Sequence, residues 1–85
     1  MSRYRIEFRP AAVRALGKLD PPVAERIRKA LLLLAVDPRP PAARPLRGRD
    51  AWRLRVGQWR VVYAIEDDRL VVLVVAVGRR RDVYD

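Results

Sequence analysis

The chain contains no cysteine and no histidine. Without cysteine there are no disulfides and no thiolate metal ligands. Without histidine, the usual neutral-pH acid/base and the commonest metal ligand are missing as well. Lysine is scarce, with only Lys18 and Lys29 beside the arginines. Long apolar runs are absent too, since Ala30 to Val36 and Leu70 to Val77 are far shorter than a membrane span. The opening MSRYRIEFRP carries charge within its apolar alternation and has no apolar core of a signal peptide. These absences lead to the expectation of a cytoplasmic protein without metal, cofactor or membrane association.

What is present fits one small domain spanning 1–85. Hydrophobic residues make up 51% and charged residues 34% of the 85, a globular composition. Lys+Arg number 19 against 10 Asp+Glu, a formal net charge of +9, which favours a polyanionic partner. A GC-rich coding bias could raise the arginine count by itself, so the placement of the arginines carries more information than their number.

Tyr4, Ile6 and Phe8 alternate with charged neighbours, the period-2 pattern of a half-buried strand. Pro10 suits the first turn of a helix, and Ala12, Val13, Leu16 and Leu19 continue at helical spacing to about Lys18. Asp20-Pro21 reads as a second helix start, with a side-chain acceptor at the N-cap. Val23, Ile27, Leu31 and Leu34 then form one apolar stripe for a sheet to cover. The proline-rich DPRPPAARP (Asp37 to Pro45) can be neither helix nor central strand and connects the helices to the sheet.

Trp52 to Val56 alternates apolar with basic residues. Gly57-Gln58 fits a two-residue hairpin turn with glycine first, and Trp59 to Glu66 alternates again. Asp67-Asp68 is a candidate second turn, and Leu70 to Val77 is a candidate central strand buried on both faces. The predicted fold is α+β, in the order β-α-α-β-β-β, with two helices on one face of a mostly antiparallel four-stranded sheet.

The Gly57-Gln58 loop fixes the hairpin pairs as Val56 with Trp59, Arg55 with Arg60, Leu54 with Val61 and Arg53 with Val62. Arg55 and Arg60 then sit directly opposite each other, which destabilises a sheet pair by about 0.2–1 kcal/mol. Arg53 shares their face. With Asp67-Asp68 as the second loop, Arg60 is expected to face Val75. Arg79 and Arg80 would then emerge past the strand end near the Gly57 turn, with Gly78 letting the tail turn back. Arginines converging in this way suit an oxyanion or phosphate, and Tyr84 offers a surface on which a base could stack. Trp52, Leu54, Trp59, Val61 and Tyr63 fall on the opposite, helix-covered face. Val62, Leu73 and Val75 are left on the open face, to be covered by the tail, the first strand or a partner.

Three stretches carry a family resemblance: PLRG (Pro45 to Gly48), WRLRVGQWRVVYAI (Trp52 to Ile65) and VGRRRDVY (Val77 to Tyr84). In this order and spacing they resemble the RelE/ParE superfamily of type II toxin-antitoxin toxins, closer to the RelE branch. That resemblance implies a ribosome-dependent mRNA endoribonuclease that acts by metal-independent attack of a ribose 2′-OH on the adjacent phosphate. By position it implies that Arg53 and Arg55 replace two basic residues, usually lysines, on the second strand. It likewise implies that Arg60 stabilises the phosphate, that Arg80 is the C-terminal arginine and that Tyr84 is the stacking tyrosine. Arg47, Arg79 and Arg81 would add RNA-binding charge. The implied partners are an acidic RelB-like antitoxin, the ribosome and mRNA, with operator DNA reached only through the antitoxin. The chain would lack the C-terminal helix of some members. ParE-type members share the fold and instead inhibit DNA gyrase by binding it.

Cleavage of this kind needs activation of the 2′-OH, stabilisation of charge on phosphorus and a proton for the leaving 5′-oxygen. Arginines meet the second need, but a guanidinium in the place of Arg55 is a poor general base. The candidates for moving protons are Tyr84, Asp82, Arg80 as a weak acid, and ribosomal RNA.

Overall fold

The computed structural model describes residues 3–48 and 50–79. They form two helices and a five-stranded mixed sheet, in the order β1 (Arg5–Phe8), α1 (Pro10–Gly17), α2 (Pro21–Val36), β2 (Arg44–Pro45), β3 (Trp52–Val56), β4 (Trp59–Glu66) and β5 (Val71–Arg79). Across the sheet the strands run β1-β5-β4-β3-β2. β1 is parallel to β5 and every other pairing is antiparallel. The additional strand is the two-residue β2, at the edge where a proline removes no needed ladder bond.

Both helices begin at proline, whose fixed φ suits the first helical position. Asp20 caps α2 by backbone conformation alone, because its side chain makes no capping hydrogen bond. The expected apolar stripe of α2 is the buried one: Ile27, Leu31 and Leu34 meet Leu54, Val61, Tyr63, Val72, Val74 and Val77 of the sheet. Val23, Trp52, Val56, Trp59 and Ile65 are half-buried around them, so the parity assigned to the hairpin strands is correct.

The second turn differs from expectation. Glu66 pairs with Val71, leaving Asp67, Asp68, Arg69 and Leu70 as a four-residue connection closed by hydrogen bonds from Arg69 N to Glu66 O (3.2 Å) and from Leu70 N to Asp67 O (3.3 Å). Leu70, predicted as strand, sits at φ 53 in this turn. The Asp67 carboxylate holds the turn in place by accepting from Tyr4 Oη at 2.6 Å and from Arg39 Nη2 at 2.9 Å. A β-bulge then follows, with Val62 opposite Ala76 and Tyr63 opposite Val74, so that Val75 is the extra residue. The longer loop moves the register by two residues and the bulge by one, and Arg60 faces Gly78 instead of Val75.

The open sheet face is covered in an unexpected way. Leu46 and Ala51 bury Val62 there, with Val75 and Ala76 packed alongside. The segment carrying PLRG therefore folds over the sheet as a lid on a small second core. A hydrogen bond from Leu46 N to Ala51 O at 2.9 Å closes it, and Gly48 at φ 73 supplies its turn.

Candidate phosphate-binding site

Arg55 pairs directly with Arg60, and Arg53 with Val62, as the hairpin spacing predicts. Directly opposed residues of an antiparallel pair project to the same face, as do residues two apart on one strand. Arg53, Arg55 and Arg60 therefore share the face away from the helices.

Arg60 differs from the others in its burial. At 6% exposure it is the one buried charged side chain among the described residues. Its strand β4 lies in the middle of the sheet, with Arg55 beside it on β3 and side-chain-free Gly78 beside it on β5. A charge placed there on a rigid central strand is held in a fixed position, which suits a group that must meet developing charge without reorganising. Arg55, on the hairpin's outer strand, is exposed, and Arg53 is half-buried.

Arg79 does not join this face. It lies within β5, opposite Trp59, and its guanidinium sits 5.5 Å from the centre of the Trp59 ring on the helix side. This is an arginine-aromatic stack worth about 0.5–1 kcal/mol at an exposed position. The three-residue register change explains the difference, since it brings Arg79 inside the strand and gives it the parity of Trp59. Gly78 is likewise a strand residue and not a hinge. Arg79 also lines a groove against α1, with Ala11, Ala15, Lys18 and Leu19. Arg47 lies at the exposed turn of the segment that crosses the cationic face. Arg80, Arg81, Asp82 and Tyr84 lie outside the described residues.

One basic residue went unnoticed in the sequence. Arg44 pairs directly with Arg53 through β2 and extends the arginine row by one strand. Its signal was the second hairpin, in which Leu46 and Ala51 close a turn containing Gly48. That pattern was hidden because the preceding prolines mark the segment as a connection.

Four arginines elsewhere meet carboxylates. Arg39 pairs with Asp67 at 2.9 Å, Arg69 with Glu66 at 2.6 Å, Arg5 with Glu7 at 3.3 Å, and Arg28 with Glu25. Asp67 is held below the usual carboxylate range by the hydrogen bonds from Arg39 and Tyr4. Burial pushes the Tyr63 hydroxyl up to about 12, and it donates to Pro38 O at 2.7 Å. It is therefore a neutral structural tie and not an acid-base group. No group of three or more His, Cys, Asp or Glu among the described residues could hold a metal ion.

This two-helix, five-strand architecture is shared with the toxins of solved toxin-antitoxin complexes. Residues 6–84 match the sequence profile of the ParE toxin of type II toxin-antitoxin systems. A RelE-like toxin protein of Escherichia coli is 38% identical over 98% of this chain and 92% of its own length. The mRNA interferase toxin RelE of Escherichia coli strain K12 is 35% identical, covering 95% of this chain and 90% of its own. Among solved structures, the RelBE2 toxin-antitoxin complex of Mycobacterium tuberculosis matches with a TM-score of 0.84 at 28% identity, covering 94% of each chain. The intact Escherichia coli RelBE complex matches with a TM-score of 0.79 at 34% identity, covering 89% of this chain and 95% of the other. The chain belongs to the RelE/ParE superfamily of type II toxins and is closer to RelE.

Proposed function

We propose that this protein is the toxin of a type II toxin-antitoxin pair, and that it inhibits translation by cutting mRNA on the ribosome. The observation that carries this is the in-register pairing of Arg55 with Arg60, beside Arg53, on one face of the sheet. Such a pair weakens an apo sheet and gains from an anion placed between its members. The RelE relatives, named as mRNA interferases, support RNA as the source of that anion.

In the proposed reaction the ribose 2′-oxygen attacks the adjacent phosphorus, the bond from phosphorus to the 5′-oxygen breaks, and a 2′,3′-cyclic phosphate forms. The 2′-OH gives up a proton and the leaving 5′-oxygen takes one. Arg60, fixed on the central strand, donates to the non-bridging oxygens as charge builds there, with Arg53 and Arg55 beside it. Arg80 is assigned to the leaving oxygen and Tyr84 to stacking on a base. Arginine excels at charge stabilisation and is poor at taking protons. The proposed rate advantage is therefore electrostatic and positional.

An acidic antitoxin resembling RelB is the proposed partner, since the structural relatives are complexes of that kind. The exposed apolar residues Leu32, Leu33 and Val36 of α2 and the net charge of +9 suit such a partner. Contact with operator DNA would come through the antitoxin. No helix among the described residues is long and apolar enough to cross a membrane, and action on the ribosome places the protein in the cytoplasm.

The match to the ParE profile favours one alternative, inhibition of DNA gyrase by binding. A translation extract and a gyrase supercoiling reaction separate the two. Codon-phased mRNA cuts with unimpaired supercoiling are expected, whereas blocked supercoiling with intact mRNA would overturn the proposal.

A further inference from the structure

The arginine row does not stop at the hairpin. Arg44 on β2 is directly opposite Arg53 and therefore projects to the same face. Arg44, Arg53 and Arg55, with Ala42, line a depression of about 330 Å³ at the sheet edge. Arg44 is held there by its own backbone surroundings: Nη1 donates to Pro41 O at 2.6 Å and to Ala43 O at 2.9 Å. These bonds occupy one corner of the guanidinium. The edge formed by Nε and Nη2 makes no hydrogen bond to a described residue, and that edge is the fork that takes an anion through two parallel bonds.

Neither Arg44 nor Arg55 forms an ion pair with a carboxylate of any described residue. Arg44 and Arg55 thus bring to the depression positive charge that no carboxylate of a described residue neutralises. Carbonyl-held orientation without charge compensation is the arrangement of a ligand site, because a guanidinium needed only for stability would gain from an acid nearby.

We propose that Arg44, together with Arg53 and Arg55, forms a second phosphate subsite, which takes a backbone phosphate of single-stranded RNA flanking the one bound at Arg60. This rests on the proposed function above, which assigns the scissile phosphate to Arg60, so that Arg53 and Arg55 lie between the two phosphates and are shared by them. β2 lies two strand spacings from β4, about 10 Å, so the two subsites are neighbours along one strand of RNA. Arg44 is a binding residue here, positioning the substrate without touching the reacting atoms.

The test uses a fluorescent, fully 2′-O-methylated RNA oligonucleotide, which cannot be cut, titrated across a range of salt concentrations. Arg44→Gln is expected to lower the slope of log affinity against log salt by about 0.7, one single-strand phosphate contact. Arg44→Lys is expected to keep the slope, and Arg28→Gln, on the far side in α2, to match wild type. On mRNA-programmed ribosomes, Arg44→Gln is expected to raise KM about 3- to 10-fold, with the loss confined to KM. An unchanged slope and KM in Arg44→Gln would overturn the subsite, as would an equal fall in slope for Arg28→Gln. Wild-type protein that leaves ribosomal mRNA uncut would overturn the proposed function instead, and the oligonucleotide slope would still decide the role of Arg44.

Discussion

At the turn between β4 and β5, Asp67 receives Arg39 and Tyr4, while Glu66 and Glu7 take Arg69 at 2.6 Å and 3.9 Å. On the face of β2, β3 and β4 away from the helices, Arg44 stands opposite Arg53 and Arg55 opposite Arg60. The same residue type is used in opposite ways. At the turn, arginines close ion pairs that tie the α2–β2 connection and β1 to the sheet. On the face they stand opposite one another in register. A net charge of +9 describes both regions equally and distinguishes neither. Placement separates the arginines paired with carboxylates at the turn from those aligned across the sheet face.

The largest effect expected from breaking this contrast is that of Arg60→Ala. Single-turnover mRNA cleavage should fall by about 10²- to 10³-fold, the usual consequence of removing a preorganised donor. Thermal unfolding of the same variant separates that loss from misfolding. Arg80→Ala is expected to lose at least about tenfold, and wild-type rates in both variants would remove the assignment.

On the structural side, Tyr63→Phe deletes the buried hydrogen bond to Pro38 O and should lower stability by about 1 kcal/mol in denaturant unfolding, with cleavage retained. Arg55→Gln should do the reverse. Relief of the facing pair with Arg60 should raise stability by about 0.2–1 kcal/mol while cleavage drops. If both properties fell together, Arg55 would be a structural residue.

The smallest effect is a dependence on pH. The carboxyl of Asp67 is depressed in the folded state by Arg39 and Tyr4. Its contribution to stability is therefore fully present above the ordinary carboxylate value, about 3.9, and is lost as pH falls through the lower folded value. The difference in Tm between wild type and Asp67→Asn should accordingly be constant above about pH 5 and shrink below pH 4. A difference that grew on acidification would show that the ion pair does not stabilise the turn.

The hairpin was legible in the sequence because alternation and a glycine-first turn fix every pair from Trp52 to Tyr63 at once. The helices were legible for a similar reason, as Pro10 and Pro21 mark their starts and the stripe from Val23 to Leu34 marks the buried face. The β4–β5 register was not legible. A run of Val and Leu from 70 to 77 shows no alternation that could reveal a bulge, and the turn's length depends on Tyr4 and Arg39, residues distant in sequence. That shift alone moved Arg79 to the opposite face. β2 was missed for a different reason: two residues pair only because the Leu46 to Ala51 turn folds back over Val62, a tertiary contact with no local period.

The most direct test compares two double variants of equal charge in mRNA cleavage on programmed ribosomes. Arg53→Gln with Arg55→Gln and Arg39→Gln with Arg69→Gln each lower the formal net charge from +9 to +7. The face pair is predicted to lose at least about 10²-fold in rate, while the turn pair stays within about twofold of wild type. Equal losses in the two, or full activity in the face pair, would contradict the claim that position on the sheet face away from the helices, and not total charge, makes the site.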